Sequence, residues 1–357
     1  MTSPTRTLSL LTPSGHLTLG SLLGALAPMR ERQDDAFYGI ADLHAMTTDQ
    51  HDPGRLRAAA DEMAALFLAL GLDRATLFRQ SHVPAHAQLA YLLECVATTG
   101  ELGRMTQFKE KSKADETRLR GSSTAFEVEE AGLTPSRQRR AEPAASKPRG
   151  VASTRVSLFT YPALMAADIL LYAPRAVPVG ADQKQHVELT RDLALRFNRR
   201  YGEVFVVPEV VTADDGSARV MDLAQPTRKM SKSAEAPGTI YLLDPPDVVR
   251  RKVGRAVTDG DVGPDAVRRD REAKPGVTNL LEVLVACGGS GDGLTTYGAL
   301  KRAVTDAVVA TLEPIQKRYA DLADDPEHVR SVFADGAARA RSVTEPVLAA
   351  AQAAMGL

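Results

Sequence analysis

The alternation of short buried runs with amphipathic helices constrains this chain more than any other feature. RTLSLL (6–11), DAFYGIA (35–41) and ATLFRQ (75–80) each read as a strand bounded by polar or turn residues. Pro13 and Gly15 break the first run, and 17–27 reads as the start of a helix. Between the second and third runs, Asp52 and Pro53 form an N-cap and first-turn pair for a helix over 54–70. Leu56, Met63, Leu66, Phe67 and Leu70 recur there at helical spacing, and Gly71 ends the helix. Strands that alternate with helices predict a parallel, doubly wound sheet, an α/β fold.

The pattern breaks at 113–155, which is charged, rich in Ser, Pro and Ala, and poor in large apolar residues. Such a stretch buries too little surface to offset its ordering entropy, so a disordered insertion is expected. The α/β pattern then resumes. A helix is predicted over 161–172, a strand over 176–180, an amphipathic helix over 183–200 with Val187, Leu189, Leu193 and Phe197 inward, and a strand over 204–208. From about 245 strand signals fade, and helices over 297–320 and 326–353 dominate.

A length of 357 residues suits two domains, or one large α/β unit plus a helical one. No run of about 18 apolar residues exists, so no membrane span is expected. The N-terminal residues lack a long apolar core and a cleavage pattern, which makes the cytoplasm the expected location. Cys95 and Cys287 are far apart and read as buried, reduced thiols. No Cys or His pair has zinc-ligand spacing, so no protein-held metal is expected. The net charge of −1 gives no argument for a nucleic-acid partner, which would need a local basic face.

Four stretches carry chemistry. Lys229, Met230, Ser231, Lys232 and Ser233 form a polar cationic run between Pro226 and the Pro237–Gly238 pair. Such a run suits a loop that closes on a polyphosphate and neutralises charge in the transition state. TPSGHLTLGS (12–21) follows a strand and opens a helix, where Gly15 and Gly20 allow close approach and the helix start favours anions. In GADQKQH (180–186), Gly180 permits approach to a sugar, Asp182 accepts hydroxyls or caps the helix, and Gln183 offers a donor and an acceptor. Asp168 stands in the apolar helix MAADILLY, where an ionised carboxylate needs a partner, either a protein cation or a ligand N–H. Lys109 and Lys111, in QFKEKS (107–112), are further candidate cations.

Together these stretches resemble the bacterial tryptophanyl-tRNA synthetases, class I aminoacyl-tRNA synthetases. TLGS (18–21) stands where the class has its His-x-Gly-His signature, and KMSKS (229–233) is its second signature unaltered. Residues 161–172, 180–198, QSHVPAHAQ (80–88), MTQFKEKS (105–112) and EAKPGVTNLL (272–281) also match. The resemblance implies a Rossmann-type catalytic domain over 1–47 and 156–240, a helical connecting and dimerising segment over 48–112, and an all-helical anticodon-binding domain over 241–357. It implies ATP with Mg2+, L-tryptophan, tRNA(Trp) and a second copy of the chain as partners, and neither membrane nor DNA. The implied reaction is ATP-dependent activation of tryptophan to its adenylate, followed by transfer to tRNA(Trp).

By motif match, Asp168 would accept the indole N–H, Gln183 would hold the α-amino group, and Tyr161, Met165, Val177, Val179 and His44 would surround the side chain. Thr12, Pro13, Ser14, Gly20, Ser21, Gly180, Ala181, Asp182, Val220 and residues 229–233 would contact ATP, with Lys111, Lys229 and Lys232 on its phosphates. Arg250, Arg251, Lys252 and Arg255 are candidate RNA contacts. Leu10, Thr12 and Ser21 depart from the usual glycine, glutamine or lysine, and asparagine. They suggest a remodelled pocket, as in an auxiliary, inhibitor-resistant form. The chain contains no tryptophan, which fits both synthesis under tryptophan shortage and simple drift. A tyrosyl enzyme of the same architecture, a weakened paralogue that only binds RNA, and another nucleotidyltransferase are the alternatives.

Overall fold

The structure is a computed structural model that describes residues 6–47, 52–105, 155–174, 176–179, 184–212, 220–230 and 237–357, with backbone alone at 176–179 and 210–212. The first sheet contains β1 (Thr7–Leu11), β2 (Ala36–Ile40) and β3 (Thr76–Arg79), all parallel, in the order β1-β2-β3. Side chains of successive strand residues point to opposite faces. Tyr38, Ile40 and Leu77 therefore enter one apolar core, while Phe37 and Phe78 enter another. Burial on both faces is what a doubly wound sheet requires.

Helices fill both faces. After β1 the chain forms α1 (Leu19–Ser21), a π-helical turn (Leu22–Leu26) and α2 (Ala27–Glu31). Asp52 caps α4 (Pro53–Ala69), accepting from the N–H groups of Gly54 and Arg55, and Gly71 follows the helix at φ +76°. Between β2 and α4 lies the short α3 (Asp42–Ala45). On the other face lie α5 (Ala85–Glu94), α6 (Thr99–Leu102), α7 (Val156–Tyr172) and α8 (Lys184–Tyr201). A second parallel pair is formed by β4 (Ala176–Val179) and β5 (Glu209–Thr212). The segment over 48–112, expected to be a helical connection, thus also supplies a core helix and the third strand of the first sheet.

The strand expected over 204–208 does not form. Asn198 Oδ1 accepts from the N–H groups of Val204 and Phe205, and its Nδ2 donates to the Phe205 carbonyl. A side chain that takes these backbone groups holds them away from a sheet ladder, and the strand begins at Glu209 instead. The expectation for Cys95 also fails, because its side chain is exposed, whereas Cys287 is half-buried and burial pushes its thiol pKa up. The expected insertion over 113–155 lies outside the described residues, apart from Arg155.

The C-terminal region contains α9 (Pro246–Gly254), α10 (Pro275–Ala286), α11 (Tyr297–Ala323) and α12 (Pro326–Met355). It shares its core with the sheet: Val277, Leu280, Leu300, Val304 and Phe333 join the cluster that holds Tyr38 and Leu77. Helix α12 continues into the second cluster through Ala337, Ala340 and Leu348, so it runs across the edge of the sheet. That edge is β3, and covering it removes an open template for strand pairing. None of the helices among the described residues is long and apolar enough to cross a membrane.

Candidate active site

The carboxyl ends of β1, β2 and β3 feed one site, as expected for ligands on open α/β sheets. Beyond β2, Asp42 accepts from Ser81 at 2.9 Å through the backbone and 2.5 Å through the hydroxyl, which ties that end to the residues after β3. His44 then lies within reach of Gln80, whose Oε1 accepts from the His44 N–H at 3.3 Å.

Asp168 is the centre of this layer. It sits on α7 with Tyr161 and Met165, and the spacing of four and three residues places the three on one helical face. Its Oδ1 accepts from Gln80 Nε2 at 2.8 Å and His86 Nδ1 at 2.6 Å, and its Oδ2 accepts from His44 Nε2 at 2.8 Å. Behind His86, the Tyr172 hydroxyl bonds to Nε2 at 3.1 Å. Of the two partners expected for Asp168, protein groups are the ones present: His44, His86 and Gln80 surround the carboxylate. A carboxylate offers about four lone-pair positions, and three are used, so one acceptor direction is left on Oδ2.

Burial alone would raise the Asp168 pKa, but His44 and His86 beside it outweigh that and hold the carboxyl down at about 2. The group is thus an anion at neutral pH. Its folded pKa lies below the unfolded value of about 3.9, so the linked stability is present above that value and is lost as the pH falls through about 2. Acid titration of unfolding should show roughly 2 kcal/mol lost across this window, and Asp168→Asn should remove that component of the slope. A wild-type slope unchanged by the substitution would contradict the assignment.

Around this anion, His44 meets Tyr161 edge-on at 6.4 Å, and the Tyr161 hydroxyl bonds to His186 Nε2 at 2.7 Å. Burial pushes the Tyr161 pKa up, so the phenol stays neutral. Tyr161 is buried and Met165 half-buried. Leu10 lies in register with Gly39, and a β-carbon at Gly39 would come within 3.1 Å of Leu10 Cγ and 2.8 Å of the Phe78 ring. The leucine thus covers a bare strand position beside Phe78, which stacks on His86 at 5.8 Å.

The phosphate-type motifs meet on the β1 side. Thr18 and Ser21 form a capping box at the start of α1, with Thr18 Oγ1 accepting from the Ser21 N–H at 3.1 Å. The Ser21 hydroxyl is thereby engaged with Thr18, at 3.1 Å from its Oγ1. A β-carbon at Gly20 would lie 3.4 Å from Met230 Cβ and 3.5 Å from its carbonyl oxygen, ordinary contact distances, so the two signature stretches lie side by side. Met230 donates its N–H to the Val220 carbonyl, and Met221 bridges Lys229, which forms a short antiparallel root for the 229–233 run. The side chains of Val220 and Met230 are in the core, so these two positions offer only backbone to the surface. Lys229 is exposed.

Two groups brace this root. Asp222 accepts from the N–H groups of Ala224 and Gln225 and from the Thr239 hydroxyl, and Leu223 N–H donates to Gly238. Gly238 is required there, since a β-carbon would lie 2.2 Å from Ala224 N and Asp222 Oδ1. Asn279 on α10 grips Met221 twice, accepting from its N–H at 2.9 Å and donating to its carbonyl at 3.0 Å. Asn279→Ala leaves both groups without these bonds, and a loss of about 2 kcal/mol in urea unfolding is expected. An unchanged midpoint would show that water replaces the clamp without cost.

Thr12, Pro13 and Ser14 lie in the turn after β1, where Ser14 N–H donates to the Thr12 carbonyl at 2.9 Å. Val177 and Val179 lie in β4, opposite Val210 and Thr212. Lys109, Lys111, Gly180, Ala181, Asp182, Gln183, Ser231, Lys232 and Ser233 lie outside the described residues. Lys252 pairs with Asp244 at 2.6 Å and lies over the Tyr241 ring. Arg250, Arg251 and Arg255 are exposed. Gln80, His86 and Tyr172 escaped residue-by-residue reading, although two of them stood in the 80–88 motif.

Known proteins of similar sequence and fold show the family. A family model described as tRNA synthetases class I (W and Y) matches residues 1–130 and 131–314. The chain is 48% identical over 356 residues to Tryptophan--tRNA ligase 1 of Streptomyces avermitilis, covering 97% of this chain and 96% of that protein. It matches the tryptophanyl-tRNA synthetase structure from Mycoplasma pneumoniae with a TM-score of 0.78 at 35% identity, over 99% of this chain and 98% of that one. It also matches the Campylobacter jejuni enzyme, solved with ADP and tryptophan, at a TM-score of 0.73 and 28% identity, over 99% and 100% of the two chains. This chain belongs to the class I tRNA synthetases of the tryptophan and tyrosine family, in the bacterial tryptophan--tRNA ligase branch.

Proposed function

We infer that this chain activates L-tryptophan with ATP and transfers it to tRNA(Trp). The carrying observation is the proximity of Gly20 and Met230, which brings the two signature stretches side by side at the same sheet end as the buried Asp168 anion. In this reading, Asp168 accepts the indole N–H while Tyr161, Met165, His44, Val177 and Val179 enclose the rings, and Gln183 holds the α-amino group. Thr12 to Ser14, Gly20, Ser21 and Gly180 to Asp182 support the nucleotide, with Lys111, Lys229 and Lys232 on its phosphates.

The tryptophan carboxylate is already a nucleophile, so no strong base is needed. It attacks the α-phosphate, and pyrophosphate leaves. The protein contributes alignment and stabilisation of charge on the phosphate oxygens. A ribose hydroxyl of the terminal adenosine of tRNA(Trp) then attacks the adenylate's carbonyl carbon, the ester forms, and AMP leaves. Among the described residues no three His, Cys, Asp or Glu side chains gather to hold a metal ion. Mg2+ would be bound through the nucleotide's own phosphate oxygens and would neutralise charge there. Arg250, Arg251 and Arg255 are proposed RNA contacts, whose affinity should fall with salt. A homodimer is the proposed assembly.

Exchange of labelled pyrophosphate into ATP, run with each of the twenty amino acids, tests this reading. Tryptophan alone should support exchange. Exchange with tyrosine instead would favour the tyrosyl reading, and no exchange at all would favour a chain that only binds RNA. The seat of Leu10 over Gly39 supports a second reading, a pocket with altered sensitivity to indole-containing inhibitors. Inhibition constants equal to those of an ordinary bacterial enzyme would count against it.

A further inference from the structure

We propose that His86 is a specificity-determining positioning residue, which fixes Asp168 so that only Oδ2 is presented to the substrate. The proposal rests on the reading of Asp168 as the indole acceptor.

The His86 side chain is fully buried and held from every direction. Its Nδ1 lies 2.6 Å from Asp168 Oδ1 and its Nε2 lies 3.1 Å from the Tyr172 hydroxyl. An ionised carboxylate only accepts, so Nδ1 carries the proton. With the ring neutral, Nε2 accepts from the Tyr172 O–H, and that bond selects the tautomer. The ring packs against Phe78, at 5.8 Å and 20°, and Tyr172, at 5.6 Å and 39°, and these two rings stack on each other at 5.7 Å, so the three form one aromatic cluster. Asp168 and Tyr172 stand four residues apart on α7, so one helix presents both ends of the chain to the imidazole.

Gln80 takes the second position on the same oxygen, at 2.8 Å. With Oδ1 fully engaged, the carboxylate cannot turn without breaking two buried bonds. The acceptor position left is on Oδ2, the oxygen that also takes the bond from His44, whose ring meets Tyr161 edge-on. A site built in this way rejects an analogue that lacks the N–H, because the unpaired anion is costly. Without His86 the carboxylate can rotate or take up a proton, and the penalty for the missing N–H shrinks.

The test uses pyrophosphate exchange by the full-length chain, with tryptophan and with β-(3-benzothienyl)alanine, in which sulfur replaces the indole N–H. The wild type should prefer tryptophan by about 10³-fold or more in kcat/KM. His86→Leu should reduce that preference at least about tenfold, with the loss falling mainly on tryptophan. His86→Asn, whose amide reproduces the Nδ1 donor, should restore most of it. Equal losses on both substrates would overturn the proposal, since that is what a purely structural role gives. If His86→Leu does not fold, Tyr172→Phe carries the test: a reduced preference supports the proposal and a wild-type preference overturns it. Asp168→Asn separates the two levels. If it also leaves the preference unchanged, the reading of Asp168 itself fails. If it abolishes the preference while the His86 variants do not, only the positioning role fails.

Discussion

Asp168→Asn is expected to lower kcat/KM for tryptophan activation by about 10³-fold while the chain still folds. The substitution keeps the shape of the side chain and removes its charge. One of its two terminal atoms becomes a donor, and it faces partners that themselves donate. If the amide nitrogen faces His44, a donor meets the Nε2 side and the indole N–H finds no acceptor there. If it faces Gln80 and His86, two buried donors lose their acceptor. Either arrangement leaves buried polar groups unpaired, at about 1–3 kcal/mol each. Pyrophosphate exchange measures the activity and thermal unfolding measures the fold. An activity within tenfold of wild type would mean that the carboxylate serves only the protein network.

Gly336→Val should be the most damaging single change away from the site. A β-carbon at Gly336 would lie 1.7 Å from the Leu77 carbonyl oxygen and 2.7 Å from its carbon. Backbone cannot yield as a flexible side chain does, so α12 must lift from β3. Phe333 lies one turn before this point, and Ala337 and Ala340 lie just beyond it, in the two core clusters. The lift therefore opens both faces of the sheet. Overpacking costs typically 1–3 kcal/mol and more where backbone must move, so a loss of about 4 kcal/mol or failure to fold is expected. Gly336→Ala should be milder but still clearly destabilising. Calorimetry or urea unfolding checks both, and a midpoint equal to wild type would show that the helix has room to shift.

Local chemistry in the sequence carried much of this architecture. β1, β2 and β3 were legible because their apolar runs are bounded by Pro, Gly and polar residues, and α4 because Asp52 and Pro53 mark its start. The missing strand at 204–208 shows the limit of a local reading. Those residues have strand composition, yet the Asn198 side chain, six and seven residues away, takes their backbone groups. At the site, Asp168 stood out as an acid in an apolar helix. Its partners did not, because His44, Gln80 and His86 lie 124, 88 and 82 residues away in the chain. Periodicity cannot reveal such pairings, which depend on how the strand ends converge. The placement of α12 over β3 is hidden for the same reason, since Gly336 reads only as a poor helix residue until Leu77 is beside it.

The most direct test is a crystal structure of the chain with tryptophan and a non-reactive ATP analogue. The indole nitrogen should lie about 2.9 Å from Asp168 Oδ2, with Gln80 and His86 still bonded to Oδ1. An indole seated away from α7, with all of Asp168's acceptor positions given to protein groups, would contradict the account.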